Sequence, residues 1–454
     1  MRVFRFPTKG AFFLLCLWLL AAVRVRSEGP LLVGGPSQAE GVPYKWGGNS
    51  LAFDSSTQTL SYWTDRGSLG SVSNPDDLVK TAFSAWQNVP TAEIEFTQAG
   101  KLTQDVTASN FMAVLNALQN CGTSPATTAP GGGAQPVTVI FDTDGSIIQA
   151  MGEDPNTIGG VATALCPTSD GISNTYNRGE AILNGKQGNT NLLTAVMIHE
   201  FGHMIGFDHT QINLDCLSNT QTCANDGSLA GVPIMFPVLL RNPNTGTYPL
   251  TPRTDDVAAV SVLYPETTTN APTQIPFSTL GRIQGRVFFS DAVTPAQGLD
   301  VIARCVSCSL GPRVVAVSSV SGFRFTEDAG NGAIPISRSE EPFFSHDPTL
   351  IGFFDIPGLP PGEYTVEVEA IHSSSPIPFV NGSAVGPIGI LGFQFALPGG
   401  CTDRQFFNSP APGADPCDAG TTVTVPPSST SVTTGIDIIL TGTGPRYDAW
   451  EDEP

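Results

Sequence analysis

Positive charge is scarce in this chain. Only 14% of its 454 residues are charged, and 21 lysines and arginines face 41 aspartates and glutamates, for a formal net charge of -20. That balance repels phosphate backbones and anionic headgroups, which excludes nucleic acid and acidic membrane surfaces as partners. Long apolar runs are lacking too. The one candidate, residues 11–23, is short for a membrane span, follows the basic Arg2, Arg5 and Lys9, and runs straight into polar sequence. Residues 1–27 therefore read as a signal peptide. The mature chain is expected to be secreted without a stable membrane anchor, since residues 448–454 are acidic rather than apolar.

Histidine is scarcer still. Five occur, none before His199, and the last two, His346 and His372, read as ordinary surface residues. Cysteine is absent between Ser27 and Cys121. Removal of Cys16 with the signal peptide leaves eight cysteines of the nine, an even number suited to disulfides in an oxidising compartment. Cys216 with Cys223, and Cys401 with Cys417, are spaced to close short loops, and Cys305 with Cys308 reads as a bridge rather than a metal pair. Connectivity as a whole stays open. Forty-eight glycines and 38 prolines predict turns and strands rather than long exposed helices, and the length accommodates two full cores.

What is present is concentrated. Three of the five histidines fall in His199-Glu200-x-x-His203-x-x-Gly206-x-x-His209. Residues four apart share one helix face, so His199 and His203 can bind one metal ion. Gly206 tolerates the left-handed turn that ends the helix and brings His209 round as a third ligand. Three imidazoles with one position left open describe a catalytic zinc, because a structural site is closed by a fourth protein ligand. Glu200 lies beside the metal, placed to take a proton from water as general base.

This pattern resembles the signature of the metzincin zinc endopeptidases, and further pieces resemble their matrixin branch. Pro233-Ile234-Met235-Phe236-Pro237 looks like the Met-turn, with Met235 beneath the ligands and Phe236 where matrixins usually carry tyrosine. Leu250 through Asp255 and Asp256 to Leu263 and Tyr264 is similar to the closing helix, and residues 78–96 to the first helix and following strand. The resemblance covers residues 46–266. It implies an α/β (α+β) catalytic domain with a mixed twisted sheet and an active-site helix, acting on protein or peptide substrates. It also implies a pocket, for the residue after the cleaved bond, walled by Phe236, Pro237, Val238 and Leu239, hence an apolar preference. Matrixins usually carry a longer propeptide whose cysteine occupies the zinc. Here residues 28–45 form only a short N-terminal segment, without cysteine. Their second, structural zinc uses upstream histidines that this chain lacks, so one zinc is expected.

In chain order, residues 60–64 read as a strand, and Asn74 and Pro75 as cap and first turn of a helix with Leu78, Val79, Ala82, Phe83 and Trp86 buried. Ile94 and Phe96 mark a second strand and residues 137–141 a third. Residues 101–135 are an insertion with a short helix at 110–118. The stretch 142–147 resembles the middle of a calcium loop, but Ile140 and Met151 would fall at ligand positions without an oxygen to offer. A polar turn is preferred there, and Ca2+ is only a secondary cofactor reading. Residues 159–167 and 179–184 are similar in placement to the matrixin edge strand and the segment before the active-site helix. That helix is expected from Thr190 or Asn191, with Leu193, Val196, Met197 and Met204 inward. Residues 267–279 form a Thr/Pro linker.

An all-β sandwich follows over residues 280–443, then an acidic tail at 444–454. Strands are expected at 282–289, 300–304, 352–356 and 364–370, the last alternating Tyr364, Val366 and Val368 with Thr365, Glu367 and Glu369. The Leu359-Pro360-Pro361-Gly362-Glu363-Tyr364 turn resembles carboxypeptidase-regulatory or transthyretin-like domains. No residue assigned to chemistry lies beyond Tyr264, so the first half is expected to act alone. Two functions compete: a secreted zinc endopeptidase, and a secreted adhesive or matrix-binding protein. The intact Glu200 favours the first, because a structural zinc does not require it.

Overall fold

The computed structural model describes residues 27–34, 38–48, 50–121, 135–267, 274–323, 347–371, 397, 399–401, 404–408, 415–426 and 432–444. Nearly all of the signal-peptide reading, much of the linker, His346, His372 and the acidic residues from 448 onward lie outside them. The fold is mixed, with several β-sheets and few helices.

Strand β1 (Ser27–Pro30) is followed by β2 (Tyr44–Lys45), β3 (Phe53–Asp54) and β4 (Thr59–Thr64), then helix α1 (Pro75–Gln87) and β5 (Glu95–Lys101). Next come α2 (Phe111–Gln119), β6 (Val137–Asp142), α3 (Ser146–Ala150), β7 (Gly160–Ser169) and β8 (Asn174–Asn184). Helix α4 (Thr190–Ile205), β9 (Phe207–Asp208), α5 (Thr220–Asp226) and α6 (Thr254–Leu263) complete the first half. Strands β5, β4, β6 and β8 run parallel in that spatial order, and β7 closes the edge antiparallel to β8. Strand β6 is buried throughout, as expected of a central parallel strand covered on both faces.

Helix α1 buries Val79, Ala82, Phe83 and Trp86, the apolar stripe its spacing predicts. The cap differs. Asn74 makes no capping bond to the helix and instead donates to the Asp77 carboxylate (2.5 Å). Helix α2, in the insertion, packs Phe111, Val114, Leu115 and Leu118 against Ile140, Ile147 and Ile182 on the sheet face opposite α1 and α4. Residues 143–145 form the polar turn between β6 and α3, where the Asp142 carboxylate accepts from Ile148 N (2.9 Å) and that of Asp144 from Ser146 N (3.0 Å).

Strand β8 also carries Glu180, buried with its Oε2 unpartnered. Burial pushes its carboxyl from 4.5 up to about 8. The unfolded chain ionises the group first, so its contribution to stability is intact below the unfolded value and is lost as pH rises through about 8. Glu180→Gln is expected to raise Tm near pH 8, by a stability gain of about 2 kcal/mol or more, and to change it little at about pH 4. Paired melts at the two pH values check this; an equal shift at both would show that the gain comes from packing.

The second half contains β10 (Gly281–Phe288), β11 (Asp300–Cys305), β12 (Ala316–Val320), β13 (Phe353–Leu359) and β14 (Gly362–Glu369). The short strands β15 (Arg404–Phe406), β16 (Val423–Val425), β17 (Val432–Thr433) and β18 (Ile438–Ile439) follow. One sheet joins β13, β10, β17 and β18; the other joins β12, β11 and β14 with β15 and β16. Ile283, Val287, Val301, Ala303, Phe354, Val366 and Val368 fill the layer between them. The alternation in β14 puts Tyr364, Val366 and Val368 inside, as expected, but the opposite face is not left to solvent. Glu367 is buried and pairs with Arg304 of β11. Four disulfides, Cys121–Cys166, Cys216–Cys223, Cys305–Cys308 and Cys401–Cys417, account for all eight cysteines beyond Cys16. Among the described residues no helix is long and apolar enough to cross a membrane.

Candidate metal centre

Helix α4 positions the site, and its ends are built from the sequence. The Asn189 side chain caps it by accepting from Asn191 N (3.0 Å) and Leu192 N (3.2 Å), and Gly206 ends it at φ +113°. Every residue from Leu193 to Ile205 is buried, so neighbours must satisfy the carbonyls that a helix end leaves free. At that end Trp46 Nε1 donates to Met204 O (2.8 Å) and Tyr264 Oη to Ile205 O (2.7 Å), while within the helix Trp86 Nε1 donates to Ile198 O (2.8 Å). Phe83 of α1 stacks on Phe201, with ring centroids 4.0 Å apart. The helix that carries two of the histidines is therefore held on several sides.

His199, His203 and His209 come together, all buried. His199 Nε2 lies 3.1 Å from His209 Nε2 and 3.2 Å from His203 Nε2. A tetrahedral ion with bonds of about 2.0–2.1 Å separates its nitrogens by about 3.3 Å, so the spacing fits zinc. The outer nitrogens fix the tautomers. His199 Nδ1 donates to Ile234 O (2.7 Å) and His203 Nδ1 to Phe207 O (2.8 Å), because a carbonyl only accepts. Their Nε2 lone pairs then point at one another, an arrangement that a shared cation relieves. Burial lowers both pKa values, that of His203 well below 6.5, with the neighbouring His199 adding to its shift. Neutral imidazoles are what a metal requires.

Met235 packs against α4 at Gly202. A Cβ on Gly202 of α4 would collide with Met235 Sδ and stand 3.0 Å from Trp86 Cζ2, so glycine is required for the close approach. Gly202→Ala is expected to cost about 1–3 kcal/mol by overpacking. A urea melt checks it, and an unchanged midpoint would mean that Met235 has room to move. The turn itself hangs on Asp256 of α6, whose carboxylate accepts from Ile234 N (2.8 Å), Met235 N (3.0 Å) and Arg253 N (2.5 Å).

Glu200 is buried, and its Oε2 has no hydrogen-bond partner. Burial pushes its carboxyl up to about 8, against a backbone hydrogen bond from Ala162 that favours the charged form. Ala162 belongs to β7, and a Cβ on Gly160 of the same strand would come within 2.9 Å of Glu200 Cγ. Strand β7 thus runs directly beside the carboxylate. Among the described residues its only strand partner is β8.

Of the proposed pocket wall, Phe236 is fully buried and packs with Cys216, Cys223 and Val232 under the disulfide loop. Val238 packs on the edge of that group and Leu239 on the main core, and with Pro237 both are half-buried. A second cluster with ligand-type atoms, Asp215, Cys216 and Cys223, has both sulfurs engaged in their disulfide. Sequence reasoning placed Asp256 in the closing helix but gave it no task. An acid in a first turn is ordinarily read as a partner of the helix dipole, and only the fold brings Ile234 and Met235 to it. Gly160 and Ala162 lie in the stretch 159–167 that resembled an edge strand, but nothing in the sequence marked either as a neighbour of Glu200.

No family model and no curated protein matches the chain. Among solved structures, one from Pseudomonas aeruginosa, for which carbohydrate binding has been suggested, is 12% identical and covers 36% of this chain and 88% of its own. Its TM-score of 0.15 is too low to carry any argument about fold or function.

Proposed function

We propose that this chain is a secreted, matrixin-like metzincin: a zinc-dependent endopeptidase with one zinc held by His199, His203 and His209. The convergence of three neutral imidazoles beside a buried, half-satisfied glutamate carries the reading. Zinc would supply Lewis acidity, acidifying water and polarising a carbonyl oxygen. Every other task falls to the chain. Glu200 takes the proton of the attacking water and passes it to the departing amine nitrogen. The backbone N–H of Ala162 steadies the carboxylate meanwhile. The free edge of β7 is suited to a peptide binding as an added strand, which lays a scissile bond across the histidines. Val238 and Leu239, past the Met-turn, suit an apolar side chain following the cleaved bond. Four disulfides agree with an exported protein.

Cleavage of a random peptide library with and without a zinc chelator tests the activity. Cleavage abolished by chelator and restored by zinc, with apolar residues enriched after the cut, is expected. Cleavage indifferent to chelator would overturn the proposal.

A further inference from the structure

His209, unlike the other two histidines, is not on a helix, so something else must hold it in register. The residues that follow it lead into the second half of the chain. Thr210 N donates to Met235 O (3.0 Å), and Thr210 Oγ1 donates to Asp255 Oδ2 (2.8 Å). The same carboxylate accepts from Ser318 N (2.7 Å) and Ser318 Oγ (3.0 Å) of β12. Ile212 packs against Ile302 and Ala316. Asn213, in the left-handed region at φ +58°, accepts from Arg304 Nη1 (2.9 Å) and donates to Arg313 O (2.8 Å). Asparagine is among the few non-glycine residues that adopt this conformation readily, and both of these partners come from the sandwich. Elsewhere in the interface, Ala258 of α6 joins the sandwich core, and a Cβ on Gly231 would collide with Arg313 O.

We propose that the sandwich half is a built-in part of the metal centre, with Asp255 and Ser318 as positioning residues that keep the His209 segment aligned with the helical pair. The outer sheet face that buries Glu367 is the face that does this. Metal affinity is then set partly by residues more than a hundred positions downstream of the last ligand. The inference rests on the zinc reading, so its test must separate the two.

The measurement is zinc affinity of the full chain by competition with a chelator, together with the melting midpoint of the metal-free protein. Asp255→Asn, which exchanges one acceptor for an opposed donor, is expected to raise the zinc Kd about 10-fold or more, and Ser318→Ala about 3-fold. Ser318→Thr keeps the hydroxyl and should restore parental affinity. Arg282→Ala breaks an ion pair with Asp355 (3.1 Å) in the other sheet of the sandwich, away from β12. It should lower the midpoint and leave the Kd unchanged. If Asp255→Asn fails to fold, Ser318→Ala and Ser318→Thr decide. A parent that binds zinc while Ser318→Ala binds it equally well overturns this inference alone. A parent that binds no zinc removes the zinc reading with it.

Discussion

Glu200→Ala is expected to lower peptide hydrolysis about 100-fold or more while leaving the zinc content at the parental level. The two quantities part because the residues divide. The nitrogens that converge are on His199, His203 and His209, and each helical imidazole is oriented by its own backbone carbonyl rather than by Glu200. The carboxylate instead faces β7 and has an unpaired oxygen in a buried setting, which suits a group that must gain and lose a proton. Glu200→Gln keeps the shape and should be as inactive, since an amide does not accept the proton. Steady-state rates beside elemental analysis of the same samples give the answer. A variant that cleaves at the parental rate would remove Glu200 from the mechanism; one that loses its metal would make it structural.

Asp256→Ala is expected to disrupt the centre without touching a ligand. The substitution leaves Ile234 N and Met235 N buried, and Arg253 N half-buried, without their acceptor. At about 1–3 kcal/mol for each buried orphaned group, the loss is about 2 kcal/mol at the least. That is a large share of the roughly 5–15 kcal/mol that holds a domain folded. Damage also reaches the metal, because Ile234 O orients His199 and Met235 O accepts from the residue after His209. Both stability and zinc retention should fall together, Asp256→Asn lying between because one oxygen still accepts. Urea unfolding followed at fixed zinc concentration checks this. A midpoint within about 0.5 kcal/mol of the parent's would show that the Met-turn is held by its own packing.

The clustering of the three histidines was legible because their spacing is a statement about helix geometry: residues four apart share a face, and Gly206 turns the chain back. Helix α1 was legible for the same reason, its buried stripe following from the period alone. What periodicity reports is that a face alternates, not what covers it. In β14 the alternation marks two faces but not what covers the charged one, where Glu367 is buried against Arg304 because that sheet face docks on the segment after His209. The contact between the two halves was equally silent, since no local pattern announces Asp255 meeting Ser318 across 63 residues. The pairing of Cys121 with Cys166 was equally hidden, as spacing identifies only short loops.

The most direct test of the account is zinc stoichiometry, measured by elemental analysis after exhaustive dialysis, for the parent chain and for His203→Ala. His203 is one of the three clustered histidines, and no histidine precedes His199 to offer a second site of the same kind. The account predicts one zinc per chain in the parent and essentially none in the variant. A parent without zinc, or a variant that retains a full equivalent, would contradict it.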